Sequence, residues 1–243
     1  MRILIIGSGG REHALAKALL KSSQPVVLFA IGRNAGMQEL CTMVDLSLSD
    51  HASIVGYALS QHIELAVVGP DEPLVKGLAD AFRSQHIPCF GPSKEAAVIE
   101  GSKAFAKAFM QRHRIPTPAY RVFTEYDRIL SYLADCPLPV VIKADGLALG
   151  KGVVIAFDRK TACEAAKGMM VDNQFGSSGK TVVVEEYASG PEVSLLVFSD
   201  GVTAKAMVSA MDHKCAFDGD NGPNTGGMGV IAPNPWYTEE IAA

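Results

Sequence analysis

The first hundred residues alternate short apolar runs with segments whose apolar side chains recur at helical spacing. Runs at Ile3–Ile6, Val26–Ala30, Met43–Leu46 and Leu65–Val68 are rich in branched residues and end near turns. That is the pattern of parallel strands buried on both faces. Between them, Ala14, Leu15, Ala18 and Leu19 share one face of a predicted helix over His13–Leu20, and Ile54–Leu59 repeats the arrangement. Pro73 suits the first turn of a helix running towards Phe82. Such alternation predicts a doubly wound α/β domain whose sheet ends near Pro92 and whose limits are set at 1–101.

Beyond it, Ser102 can cap a helix from Lys103 to about His113, which stops before Pro116-Thr117-Pro118. Segment 102–119 is therefore read as a linker helix. Strands are predicted at Val140–Lys143 and Val153–Phe157 around a glycine-rich loop, then a helix over Thr161–Met170 and a polar stretch, Asp172–Lys180. Further strands follow at Thr181–Glu186, Val193–Phe198 and Thr203–Ser209. This order reads as a small α+β lid over 120–192 and the start of another domain over 193–243. Asp212–Gly229 is polar and glycine-rich, so it is an ordered binding loop or a disordered one.

Composition narrows the class. Of 243 residues, 48% are hydrophobic, enough for a sizeable core. The formal charge of −4 does not mark a partner for nucleic acid, so anionic ligands must be held locally. Five scattered cysteines without a C-x-x-C pair fit free thiols better than zinc or a disulfide framework. No run approaches the ~18 apolar residues of a membrane span, and the expectation is a cytoplasmic protein.

Four loops carry candidate chemistry. Gly7-Ser8-Gly9-Gly10-Arg11-Glu12 joins a strand to a helix, the geometry that aims backbone N–H groups at a phosphate. It resembles the dinucleotide fingerprint, but Glu12 stands where the third glycine would be, and the second strand ends without a ribose-binding acid. A dehydrogenase is disfavoured; a tight turn without a ligand is the plain alternative. Lys143-Ala144-Asp145-Gly146, continuing to Gly150-Lys151-Gly152, lacks Walker A spacing, yet its lysines and glycines can wrap a triphosphate. A lysine closing the apolar run Val140–Ile142 needs an anionic partner. Glu185, Glu186 and Glu192 flank a strand end that suits adenine and ribose, although a solvated strand end is the commoner outcome. Asp212-His213-Lys214 with Gly222–Gly229 offers close backbone approach to a charged ligand. Asp218 and Asp220 are read as solvated acids, and His51, His62, His86 and His113 as surface or packing residues.

Together these segments resemble one family. Gly9–Ala14, Val68–Pro70, Pro73–Val75, Gly101–Phe105, Ile142–Ala148 and Gly222–Gly229 are similar, in order along the whole chain, to glycinamide ribonucleotide synthetases. These are the phosphoribosylamine–glycine ligases of the ATP-grasp superfamily. The resemblance implies ATP, Mg²⁺, glycine and 5-phosphoribosylamine as ligands, and a glycyl phosphate intermediate. It implies Lys103, Lys143 and the turn Gly146, Gly150, Lys151, Gly152 at the ATP phosphates. Glu185, Tyr187 and Ala188 would read adenine and Glu192 the ribose. Gly9, Gly10 and Asp71 would hold the phosphoribosyl group, and Asp212, Lys214, Asn224, Thr225, Gly226 and Gly227 would face glycine. It places the lid and the beginning of the larger grasp core in the second half. Arg33 and Cys215 depart from the family pattern. The family's magnesium ligands are expected beyond Ala243, so no metal ligand is assigned here and the 243-residue chain alone is expected to be inactive. The parent enzyme is expected to be a monomer or homodimer.

Overall fold

Alternation along β1 (Arg2–Ile6) sends Leu4 and Ile6 to one face of a sheet and Ile3 and Ile5 to the other. All four are at most 1% exposed, and each contributes about 1.5–3 kcal/mol by leaving water. In the structure, a computed structural model, the described residues are 1–148, 152–213, 215–219, 221–225 and 227–242, without the side chains of Asn221, Pro223 and Asn224. They form two compact units, Met1–His113 and Arg114–Ala243.

In the first unit β1 is followed by α1 (Gly10–Leu19), β2 (Val27–Ile31), α2 (Ala35–Gln38), β3 (Thr42–Val44) and α3 (His51–Ser60). Then come β4 (Leu65–Val68), α4 (Asp71–Val75), α5 (Leu78–Ser84), β5 (Cys89–Phe90), α6 (Lys94–Gly101) and α7 (Lys103–Arg112). The strands are parallel in the order β3-β2-β1-β4-β5. Ala16 of α1 and Met37 of α2 cover one face; Ile54 and Ala58 of α3 and Leu78 and Phe82 of α5 cover the other. The doubly wound sheet expected from the apolar runs is therefore present. The helix expected from Pro73 to Phe82 is broken in two, because Gly77 adopts φ 91° between α4 and α5. Helix α6, capped by Ser93 accepting from Ala96 N–H at 3.3 Å, has no counterpart in the sequence reading.

The order places a topological switch point between β1 and β4. Chain from β1 winds outward through β2 and β3, whereas β4 leads to β5 on the other side. Open α/β sheets hold ligands in the crevice outside the carboxyl ends at such a point.

One buried atom in this unit has a pH consequence. His51 Nε2 is sealed from solvent and has no hydrogen-bond partner among the described residues. Burial, then the nearby Lys76 charge, lowers its pKa against the smaller opposing effect of Asp50. The folded state thus favours the neutral ring. That contribution is fully present above the unfolded value of about 6.5 and is lost as pH falls from there through the lowered folded pKa. Urea denaturation should show a smaller fall in stability between pH 7.5 and 5.5 for His51→Phe than for the native protein.

The second unit begins with β6 (Tyr120–Phe123), α8 (Tyr126–Asp135), β7 (Val140–Ala144), β8 (Val153–Ala156), α9 (Arg159–Met170) and β9 (Val182–Glu186). These strands form an antiparallel sheet ordered β6-β9-β7-β8. Ile129 and Leu133 of α8 and Ala162, Ala166 and Met169 of α9 pack on Val140, Ile142, Ala144, Val182 and Val184. Strand periodicity then sends Val141, Lys143, Val183 and Glu185 to the opposite face. The polar stretch before β9 contains a 3₁₀ turn over Gly176–Gly179.

The remainder is a set of small antiparallel pairs. Strands β10 (Val197–Ser199) and β11 (Ala204–Ala206) pair, and a bridge between Ser194 and Ala210 extends the contact. The two strands expected at 193–198 and 203–209 are therefore shorter, in keeping with the exposure of Val197, Phe198 and Val208. Strands β12 (Met211–Asp212) and β15 (Val230–Ile231) pair, as do β13 (Cys215–Phe217) and β14 (Asn221–Asn224), and α10 (Glu239–Ala242) follows.

Candidate functional site

Because all strands of the first sheet are parallel, the turns that follow them share one edge. Three are stitched together there. After β1, Gly7 N–H donates to Ile31 O at 2.9 Å, and after β4, Gly69 N–H donates to Ile6 O at 3.1 Å. Asn34 accepts from Met37 N–H at 3.2 Å, capping α2, while its Nδ2 donates to Ser8 O at 2.9 Å. Glu12, only 4% exposed, turns back so that Oε2 accepts from Gly9 N–H at 2.5 Å. Gly9 and Gly10 lie exposed at this rim, and Asp71 opens α4 two residues after Gly69, also exposed. The three residues assigned to the phosphoribosyl group thus border the switch-point crevice. Lys103 opens α7 behind its Ser102 cap in the same unit.

Glu12, Gly69 and Asn34 were not among the expected site residues. Glu12 carried a signal: an acid three positions after an N-cap is the second half of a capping box. Arg33, the departure in the second turn, is exposed and 3.8 Å from Asp45.

In the second unit, the lysine that needed an anionic partner has one within the chain. Lys143 Nζ donates to Glu185 Oε2 at 2.8 Å, with side chains 25% and 5% exposed. Register explains the pairing: Val141 opposes Glu185 and Lys143 opposes Val183, so the two charged residues are diagonal neighbours on one face. The glycine-rich turn rises directly from this strand. Its base is closed by Ala144 N–H donating to Gly152 O at 2.8 Å. Asp145 N–H donates to Ser178 O and Thr181 O, each at 3.0 Å, and Ser178 Oγ donates to Leu147 O at 3.2 Å. Gly146 lies against Ser178 so closely that a side chain there would overlap its hydroxyl. The 3₁₀ turn, unassigned by sequence, is what holds the loop's base. Gly150 and Lys151 lie outside the described residues. Tyr187 is half-buried with its ring 6.1 Å from that of Phe157, while Ala188 and Glu192 are exposed.

The last motif is brought onto its partner segment by backbone pairing. Asp212 opposes Val230 and Cys215 opposes Asn224. Between these pairs His213 N–H donates to Gly229 O at 2.9 Å and Met228 N–H to His213 O at 3.3 Å. Asp212 therefore lies beside the described part of this segment, Gly227–Val230, with Gly227 N–H donating to Thr225 Oγ1 at 3.1 Å. Gly222, at φ 89°, packs beneath Phe217, where a side chain would come within 2.5 Å of the ring. Lys214, Asp220 and Gly226, and the side chain of Asn224, lie outside the described residues. Among those described, no three His, Cys, Asp or Glu residues gather as a metal site, and no helix is long and apolar enough to cross a membrane.

These features have relatives. Residues 1–100 match the family described as phosphoribosylglycinamide synthetase, N domain, and residues 101–243 match its ATP-grasp (A) domain. A phosphoribosylamine–glycine ligase of Vibrio cholerae is 46% identical over 99% of this chain and 57% of its own length. A bifunctional purine biosynthetic protein of Schizosaccharomyces pombe is 47% identical over 96% of this chain and 30% of its own. A solved phosphoribosylamine–glycine ligase from Thermotoga maritima superposes with TM-score 0.79 at 32% identity, covering 95% of this chain and 55% of that one. The N5-carboxyaminoimidazole ribonucleotide synthetase of Thermus thermophilus, at 19% identity and TM-score 0.68, shares the fold. The chain spans 57% of the length of the Vibrio ligase. With its two halves matched in order by the N and ATP-grasp domains, this chain belongs to the phosphoribosylglycinamide synthetase family.

Proposed function

We propose that this chain supplies the phosphoribosyl and nucleotide contacts of a cytoplasmic ligase joining glycine to 5-phosphoribosylamine at the expense of ATP. The observation that carries the nucleotide half is the Lys143–Glu185 pair beside a glycine turn whose base is fixed by Ser178. A partly buried cation at the base of a glycine turn suits phosphate oxygens. Family membership supports glycine as the carboxylate substrate.

The chemistry requires two steps. A glycine carboxylate oxygen attacks the terminal phosphorus of ATP, releasing ADP and leaving a glycyl phosphate. The amine of phosphoribosylamine then attacks the carbonyl carbon, the C–O bond to phosphate breaks, and the nitrogen gives up a proton. Negative charge gathers at the transferred group, and fixed donors that oppose it lower the barrier. Lys143 and Lys103 neutralise phosphate oxygens, and the turn of Gly146, Gly150, Lys151 and Gly152 covers them. Glu185, Tyr187 and Ala188 border the adenine and Glu192 the ribose. Asp212, Lys214 and Asn224 to Gly227 hold glycine, and Gly9, Gly10 and Asp71 the phosphoribosyl group. Magnesium accompanies ATP in this reading. The described residues offer no cluster of donors that fits it, so no step here runs through the metal.

The test is ADP release by the protein carrying this sequence, given Mg-ATP and phosphoribosylamine generated from ribose 5-phosphate and ammonia. Release should require both glycine and the sugar amine, and replacement of glycine by alanine or bicarbonate should abolish it. Equal ADP release with another carboxylate would assign a different ligase.

A further inference from the structure

Glu12 occupies the position where a dinucleotide-binding turn carries its third glycine, counting Gly7-x-Gly9-x-x-Glu12. Its carboxylate lies among three glycines on two different loops. A side chain at Gly7 would come within 2.8 Å of Glu12 Cδ, one at Gly9 within 2.8 Å of Oε2, and one at Gly69 would overlap Oε1. Gly7 and Gly9 belong to the turn after β1 and Gly69 to the turn after β4, so the carboxylate spans the switch point.

In a doubly wound fold with the three-glycine turn, a diphosphate lies over this turn. The third glycine lets helix and strand approach, and the N–H groups of the turn take up the charge. Here both conditions are altered. Gly9 N–H is already paired with an anion that belongs to the protein, and that anion sits at the positive end of α1. A second anion brought to the same amide would meet a negative charge at hydrogen-bonding range, on a carboxylate that is itself only 4% exposed. A phosphate monoester at this rim would therefore have to use the other N–H groups at the start of α1.

We propose that Glu12 is a specificity-determining and positioning residue of the crevice. It takes the place of one phosphate, excludes diphosphate-bridged nucleotides, and ties the β1 and β4 turns into one rim shaped for a ligand with a single phosphate monoester. This rests on the reading that the first unit holds the phosphoribosyl group, and it says how the sheet of a dinucleotide-binding fold is kept from binding dinucleotides.

The experiment uses the protein carrying this sequence, native and as Glu12→Gln and Glu12→Gly, with two readouts. Hydrogen exchange follows the amides of 7–11 and 69–71, and calorimetry follows ADP-ribose and ribose 5-phosphate. Glu12→Gln keeps an oxygen for Gly9 N–H and removes the charge. It should leave exchange unchanged and raise ADP-ribose affinity by about tenfold. Glu12→Gly should expose both segments to exchange and weaken ribose 5-phosphate by about tenfold or more. Were Glu12→Gly not to fold, the Glu12→Gln result alone would decide. Unchanged ADP-ribose affinity in Glu12→Gln overturns the proposal, as does unchanged exchange in a folded Glu12→Gly. If the native protein fails to bind ribose 5-phosphate while the exchange and ADP-ribose changes occur, the phosphoribosyl reading fails and the role of Glu12 stands.

Discussion

Lys143→Met is expected to cut ADP release by the protein carrying this sequence by about 10²–10³-fold, the usual cost of removing one fixed donor from a site where charge develops. Methionine keeps most of the apolar stem and removes the charge, so the fold around Val140–Ile142 should persist. Stability should still fall, because Glu185 at 5% exposure loses the Lys143 charge at 2.8 Å. Breaking a fully buried pair costs about 3–5 kcal/mol; with Lys143 25% exposed, solvent compensates in part and about 2–4 kcal/mol is expected. Adding Glu185→Gln should recover part of that loss without recovering turnover. A urea-denaturation double-mutant cycle measures the coupling, expected at about 1 kcal/mol or more. Purely additive effects would mean that the pair is not the anchor of this face.

Gly32→Ala is expected to be the most damaging single methyl in the first unit. Gly32 has φ 127°, and a Cβ there would lie 2.7 Å from Gly7 O and 2.8 Å from Gly7 C. Neither atom can rotate away, since both are backbone, and the positive φ adds strain of its own, about 1–3 kcal/mol. The turn after β2 would have to separate from the turn after β1, and with it the Asn34 contacts to Ser8 and Gly9. A loss of about 3 kcal/mol or more in urea denaturation is expected, together with weakened binding of ribose 5-phosphate. Gly10→Ala is the control for stability alone, because a Cβ there meets nothing within 4 Å. Equal stability of the two variants would show that the turns are not locked to one another.

Both variants probe what the sequence made only half legible. Buried parallel strands announce themselves by apolar runs, so β1, β2 and β4 were read nearly to their ends. Lys143 was legible as a buried cation in need of an anion. Its partner was not, because Glu185 lies 42 residues away and is chosen by antiparallel register. Strand β6 escaped notice because it is four residues long and follows a proline pair. Helix α8 had a legible signal in Ile129 and Leu133, one turn apart on a face that is fully buried. The pairing of β13 with β14 could not be read from propensity, since asparagine, glycine and proline make poor strands and the pairing is a matter of backbone bonds. Glu12 was visible as a failed glycine and its spacing from Gly9 as half a capping box, but its approach to Gly69 on the β4 turn was not legible in the sequence. Loop residues act through where a side chain returns, and pattern alone carries little of that.

The central claim is that these loops serve a ligase that activates glycine as an acyl phosphate. It is tested most directly by supplying the protein carrying this sequence with glycine labelled with ¹⁸O in both carboxylate oxygens, together with Mg-ATP and phosphoribosylamine. If the carboxylate attacks the terminal phosphorus, one labelled oxygen must leave with inorganic phosphate in each turnover and the amide product must keep the other. Phosphate free of label, formed at the same rate as the product, would contradict the account.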